Sequence, residues 1–326
     1  MTFFKSVWCA VLLTFCVPSF SAPLLLNVPI GEVPASCASI DANKFSTLKL
    51  YKTFDGDIPN FRLYDGKWSP HLDGGYDSEA NRWKGYDWVV KRTQPGAHEQ
   101  QIYVDPLYKS SASFPLGLNP FSIADGNLTI TGDVIPASLQ RYFPGFRFTS
   151  GLLTTRTSFI QLYGYFEIDA IFPQGEHLLP AFWLLPFDKS WPPEIDVFEA
   201  PGQEPGFLRM TIHDRDSLGK LQHTGCKIAL PSFSTSFHKY GVLWLPEGIT
   251  YFIDRRPVAH IKTPSSFVKP MYMIVNLAIG GDWVGFKYDS NNLPVHLVVK
   301  DIAAYSTQQS PDCKRQVGGE ILCRGN

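Results

Sequence analysis

Three carboxylates fall within six residues in Glu194-Ile195-Asp196-Val197-Phe198-Glu199, led in by Trp191-Pro192-Pro193. The residues between them are strand formers, and side chains two apart on a strand share a face. Glu194 and Asp196 therefore project together. Strict alternation would send Glu199 to the opposite face with Phe198 beside the acids. One extra residue accommodated as a β-bulge between Asp196 and Glu199 restores all three carboxylates to one side.

A row of this kind suits glycoside hydrolysis. A retaining mechanism uses one ionised carboxylate as nucleophile and one protonated carboxyl as general acid, about 5–5.5 Å apart across the anomeric carbon. Glu194 and Glu199 are long enough to lean toward each other. Asp196 between them can hydrogen-bond a neighbour and, by like-charge repulsion, raise the pKa of the acid partner. An ordinary amphipathic strand with its acids in water is the other reading of the same six residues.

The elements that must position this strand read as all-β. Aromatics make up 14% of the 326 residues, and 26 Gly with 26 Pro favour turns over long helices. Strand candidates are Leu48 to Thr53, Trp88 to Arg92, Gly164 to Ile171, Leu208 to His213, Tyr240 to Leu245, Ile249 to Ile253, Val258 to Ile261, Met271 to Ala278 and Val295 to Tyr305. Phe121 to Ile130 reads as a hairpin turning at Asp125-Gly126-Asn127; the Asn127-Leu128-Thr129 sequon falls within that hairpin and is read as turn. Short strands at this spacing predict a single β-sandwich.

Residues 1–21 read as a secretory signal peptide: Lys5, an apolar stretch from Ser6 to Val17, and small Ser19 and Ser21 before the cut. The apolar run is too short to span a bilayer. The mature chain is expected to comprise a catalytic domain over 22–310 with a loop-rich amino-terminal segment, and a tail over 311–326. Of the cysteines that remain, Cys313 with Cys323 would close a short tail loop, and Cys37 with Cys226 would tie the amino-terminal segment to the body; four cysteines allow three pairings. A formal net charge of −1 gives no footprint for nucleic acid or an anionic membrane.

Several segments in one order carry a family likeness: Leu162-Tyr163-Gly164-Tyr165-Phe166-Glu167, Pro180-Ala181-Phe182-Trp183-Leu184-Leu185-Pro186, Trp191 to Glu199, Phe237 to Trp244, Gly248 to Asp254, and Asn276-Leu277-Ala278-Ile279-Gly280-Gly281-Asp282-Trp283. Over about residues 98 to 305 the chain resembles glycoside hydrolase family 16, the laminarinase and lichenase type. The resemblance implies a concanavalin A-like jelly-roll sandwich and a retaining endo-β-glycanase acting on a polysaccharide, with Glu194 as nucleophile, Glu199 as acid/base and Asp196 assisting. The wording Pro192 to Glu199, with His98-Glu99-Gln100-Gln101-Ile102-Tyr103, is most similar to bacterial exopolysaccharide endo-1,3-1,4-β-glycanases.

The likeness also suggests substrate contacts. Trp183 and Trp191 flank the acidic strand, His213 is placed near the acid/base, and Asn276 and Trp283 lie in a segment that the family uses at its cleft. Phe148-Thr149-Ser150-Gly151 resembles another cleft-side stretch. Two departures bear on the cleft wall: Asp169 stands where a basic residue is frequent, and Leu179 where a Trp is frequent. No cofactor is expected. Many members hold a structural calcium partly through an Asp on the last strand, and aligning Tyr305 puts Lys300 there. An ammonium cannot ligate a hard cation, although Asp301 is adjacent. The expected activity is secreted hydrolysis of internal β-1,3/β-1,4 linkages by a monomer. The alternatives are a transglycosylase remodelling a wall or capsule, or a non-catalytic lectin-like sandwich.

Overall fold

The computed structural model describes residues 24–25, 48–70, 97–106, 109–111, 114–316 and 321–324. The leader over 1–21, the strand expected at Trp88 to Arg92, and Cys37 lie outside these. Two sheets face each other, as a jelly-roll sandwich requires, antiparallel except where Gln101–Tyr103 runs parallel to Phe148–Ser150. The six-stranded sheet carries the acidic residues. Its strands are β1 (Leu152–Thr154), β2 (Leu178–Pro186), β3 (Glu194–Glu199), β4 (Phe207–Arg215), β5 (Leu221–Ala229) and β6 (Met271–Ile279), in the order β5-β4-β3-β2-β6-β1. The opposing sheet has eleven strands and is centred on Gly164–Ile171, which pairs with His238–Trp244 on one side and Val295–Ser306 on the other.

The alternation of apolar residues explains the stacking. Phe166, Ile168 and Ala170 of the opposing sheet and Ile195, Val197 and Phe198 of β3 all enter one buried core. Phe198 is its anchor beneath the acids: its ring stacks on Tyr240 at 4.7 Å between centroids and lies 3.8 Å from that of Phe172. Burying such a ring stabilises by about 1.5–3 kcal/mol, so β3 is pinned by residues that alternate with its carboxylates. The hairpin at Phe121–Ala124 and Asn127–Val134 forms as the sequence predicts, with Asp125 and Gly126 both at positive φ in a two-residue turn.

Asp169 does not line a cleft wall. It lies on the outer face of the opposing sheet, where Lys239 Nζ reaches its Oδ2 at 2.8 Å. Lys300 is the extra residue at a bulge between Asp301 and Val299, and Asp301 pairs in register with Asp169. The acid at this place on the last strand is thus matched by an acid with a lysine on it rather than by a set of free oxygen ligands, which is a poor fit for calcium.

Beside this pair, buried Glu167 receives both nitrogens of the Arg255 fork, Nε at 2.9 Å and Nη2 at 2.8 Å, and the Tyr165 hydroxyl at 2.8 Å. Arg255 sits with Asp254 at positive φ in the turn between two strands, so the ion pair also holds that turn. Removing one partner of a buried pair strands the other charge. Arg255→Ala is expected to destabilise by about 3 kcal/mol, measured by urea unfolding; a loss below about 1 kcal/mol would mean that Lys239 and Tyr165 suffice.

Cys313 and Cys323 form a disulfide between Asp312–Arg315 and Ile321–Arg324. Cys226, on β5, is also disulfide-bonded.

Candidate active site

The bulge predicted for β3 is present. Asp196 pairs with Thr211 and Glu199 with Arg209, so Val197 and Phe198 together oppose the single residue Met210 on β4. On β2, Trp183 pairs with Asp196 and Phe182 with Phe198, which leaves Val197 as the inserted residue. Val197 and Phe198 both turn into the core, and Glu194, Asp196 and Glu199 share the outward face. Two cross-sheet rows result. One runs Asn276, Ala181, Glu199, Arg209; the other runs Ile274, Trp183, Asp196, Thr211.

Each acid has a different set of partners. Glu194 accepts a hydrogen bond from Trp191 Nε1. Asp196 is 2% exposed and its Oδ2 lies 2.8 Å from His213 Nε2. No described residue donates a hydrogen bond to the Glu199 carboxyl; its nearest counter-charge is Arg209, whose Nε donates to Glu204 at 2.8 Å. Burial pushes all three carboxyls up. Glu194 is raised by burial and by the Asp196 charge, against which His213 and the Trp191 N–H pull down. Asp196 is raised by burial to about 7, with a hydrogen bond to Glu194 opposing the rise. Glu199 is raised by burial, then by the charges of Asp196 and Glu194, with Arg209 opposing.

These environments separate the roles. Three carboxyls side by side, Asp196 buried and Glu194 and Glu199 half-buried, cannot all ionise near neutrality. The ionised form is favoured where a hydrogen bond points at it: Glu194 has the Trp191 N–H, whereas the bond that it shares with Asp196 lowers Asp196 and raises Glu194. The proton is best kept where no donor competes for the oxygens, which is Glu199. One residue is thereby suited to attack and the other to donate a proton.

Glu199 also tests this electrostatics through stability. Its pKa in the fold lies above the ordinary carboxylate value, so the folded state holds the proton more tightly than the unfolded chain does. The favourable state is fully present below the unfolded pKa, and stability is lost as pH rises toward the folded one. Glu199→Gln is therefore expected to raise the melting temperature at pH 8, by ~2 °C, and to leave it unchanged at pH 4. Equal shifts at both pH values would contradict a raised Glu199.

The other expected contacts occupy distinct places. Trp183 is 7% exposed, and its Nε1 donates to Asn276 Oδ1 at 2.7 Å. Asn276 is itself buried and donates to the Tyr103 hydroxyl at 2.9 Å. The two form a fixed floor beside the acids. Trp191 and Trp283 are open instead, 48% and 45% exposed. Trp191 stands at the Glu194 end, and Trp283 lies at the Glu199 end with the Arg209 guanidinium 5.9 Å from its ring centre. A sugar chain crossing the acids would meet an indole at each end. Phe148, Thr149 and Ser150 are buried, with Ser150 Oγ donating to the Leu277 carbonyl.

Four partners were not singled out in the sequence. Arg209 has no local signal, since only the register brings it opposite Glu199. Tyr103 and Glu99 belong to the amino-terminal wording quoted above, and burial raises the Glu99 carboxyl to about 7. His223, on the exposed edge strand β5, places its Nδ1 2.7 Å from Nδ1 of His213. Glu194, Asp196 and His213 also bring their donor atoms within 4.8 Å of one another. Those atoms also serve hydrogen bonds, His213 with Asp196 and Trp191 with Glu194.

Fold and site define a carbohydrate-active jelly roll with a row of acids at its centre. The model of glycosyl hydrolases family 16 matches residues 120–292, and the chain belongs to that family. It is 45% identical over 235 residues to the endo-1,3-1,4-beta-glycanase ExsH of Rhizobium meliloti, covering 71% of this chain and 47% of that protein. It is 40% identical over 268 residues to the endo-1,3-1,4-beta-glycanase EglC of the same organism, covering 79% and 54%. The chain spans about half the length of these relatives. Among solved structures, the laminarinase from Rhodothermus marinus superposes with a TM-score of 0.61 at 24% identity, over 80% of this chain and 99% of that one. The laminarinase catalytic domain from Thermotoga maritima gives 0.62 at 20% identity, over 78% and 98%. These two likenesses concern the fold.

Proposed function

We propose that this chain is a retaining endo-β-glycosidase that hydrolyses internal β-1,3/β-1,4 linkages of a glucan or bacterial exopolysaccharide. The observation that carries the reading is the bulge at Val197, which turns three carboxyls of unlike surroundings onto one face. Glu194 attacks the anomeric carbon while Glu199 protonates the departing oxygen. Glu199 then takes a proton from the water that releases the sugar from Glu194. Asp196 shares a proton with Glu194 and steadies the charge there as it moves to the ester and back. The matched 1,3-1,4-glycanases support the linkage class.

The enzyme is proposed to act outside the cytoplasm as a monomer. A bridged Cys313–Cys323 suits an oxidising compartment, and among the described residues no helix is long and apolar enough to cross a membrane. No step calls for a cofactor, so a chelator should leave turnover unchanged. The function is tested by a reducing-end assay on β-1,3-, β-1,4- and mixed-linkage glucans and bacterial exopolysaccharides, with product sizing. New reducing ends with shortened chains are expected on at least one polymer. Lengthened chains would favour transglycosylation, and binding without new ends a lectin.

A further inference from the structure

The hydrogen bonds at the site do not stop at His213. Its Nε2 faces Asp196 Oδ2 at 2.8 Å, and its Nδ1 faces Nδ1 of His223 at 2.7 Å. His213 and His223 are register partners on β4 and β5, with the rings edge to face at 4.6 Å between centroids. Two ring nitrogens at that distance share one proton, so one of them donates and the other accepts. The Trp191 ring is tilted toward that of His213, with 6.2 Å between centroids. Both ring nitrogens of His213 thus have a partner, and its tautomer is set by what each nitrogen meets.

We propose that His223 is a positioning residue for the reaction: its Nδ1–H donates to His213 and thereby keeps His213 in the tautomer that donates from Nε2 to Asp196. The inference rests on the retaining reading given above. Donation then runs in one direction, from His223 to His213 and from His213 to Asp196, the acid that lies against the nucleophile. With its Nδ1 lone pair committed to His223, His213 points its Nε2–H at Asp196. Asp196 thereby accepts from His213 at Oδ2 while it shares a proton with Glu194. The side-chain contact of His223 at the site is with His213. It acts only through the ring that it orients, as the outer partner of a histidine does in many sites.

The test uses substitutions that differ in one property. In His223→Asn the side-chain amide nitrogen would occupy the place of the imidazole Nδ1 and still donate, so this variant is expected to keep kcat within about threefold of the wild type. His223→Asp has the same shape but only accepts, forcing a proton onto His213 Nδ1. It is expected to lower kcat by about 10- to 100-fold, the usual effect of removing such an orienting group, with KM unchanged. His223→Leu, lacking either capacity, should fall between them. Nitrogen-15 spectra of the histidine rings read the tautomer independently of turnover. His213 should carry its proton on Nε2 alone in the wild type and in His223→Asn, and on Nδ1 in His223→Asp. Equal kcat in the Asn and Asp variants, or a proton on His213 Nδ1 in the wild type, would overturn the proposal. Should no polymer be cleaved by the wild type, the spectra still decide the hydrogen-bond direction, and the failure belongs to the hydrolytic reading alone.

Discussion

Glu194→Gln is expected to lower turnover on a polysaccharide by roughly 10⁴-fold or more while leaving the melting temperature near that of the wild type. The amide is isosteric and still offers an oxygen to the Trp191 N–H, so the packing under β3 by Ile195, Val197 and Phe198 is untouched. What disappears is the charge that forms the glycosyl ester. The loss should fall in kcat, because the acid acts in the transition state rather than in uniform binding. Removing the side chain altogether, as Glu194→Gly, opens room for a small anion at the same face. Azide with an aryl β-glycoside should then give the α-glycosyl azide. A variant with near wild-type turnover, or azide product of β configuration, would remove Glu194 as the nucleophile.

The second large effect is at Glu199. Glu199→Gln should lower turnover on polysaccharide by roughly 10²–10⁴-fold, the span typical of lost general acid–base catalysis. The first step needs the acid only when the leaving oxygen is basic. An aryl glycoside with an acidic phenol should therefore still form the glycosyl-enzyme, which accumulates because the base for the second step is also gone. A burst of phenol followed by slow turnover is the expected trace. In the wild type, activity should fall at low pH as Glu194 gains a proton and at high pH as Glu199 loses one. Burial and the neighbouring acids raise Glu199, so the alkaline limb lies above the ordinary carboxylate range, and in Glu199→Gln this limb should vanish. Equal losses on activated and unactivated substrates would contradict the assignment.

Much of this was legible because the decisive features are local. The bulge at Val197 follows from counting faces between Asp196 and Glu199, and the hairpin at Asp125-Gly126 from turn chemistry. The strand Gly164–Ile171 is bounded as its alternation predicts. What escaped depends on pairing across the sheet. β2 contains Pro180 and Pro186, which obscure a strand, yet it is central to its sheet. β5 is an edge strand whose exposed residues carry little hydrophobic pattern, so it left no signal, and His223 with it. Asp169 has a strand position that sequence identifies, but the sheet it belongs to is fixed only by its neighbours on His238–Trp244 and Val295–Ser306. Trp183 looks equally suited to floor or platform until its indole is seen to be closed over by the Asn276 amide.

The most direct test is the anomeric configuration of the first product. Proton NMR during the opening minutes of cleavage, before mutarotation, distinguishes the two anomers by their H1 coupling. Double displacement through Glu194 and Glu199 predicts that the β-anomer forms first and the α-anomer grows in later. An initial α signal would contradict the covalent intermediate and, with it, the division of labour between the two acids.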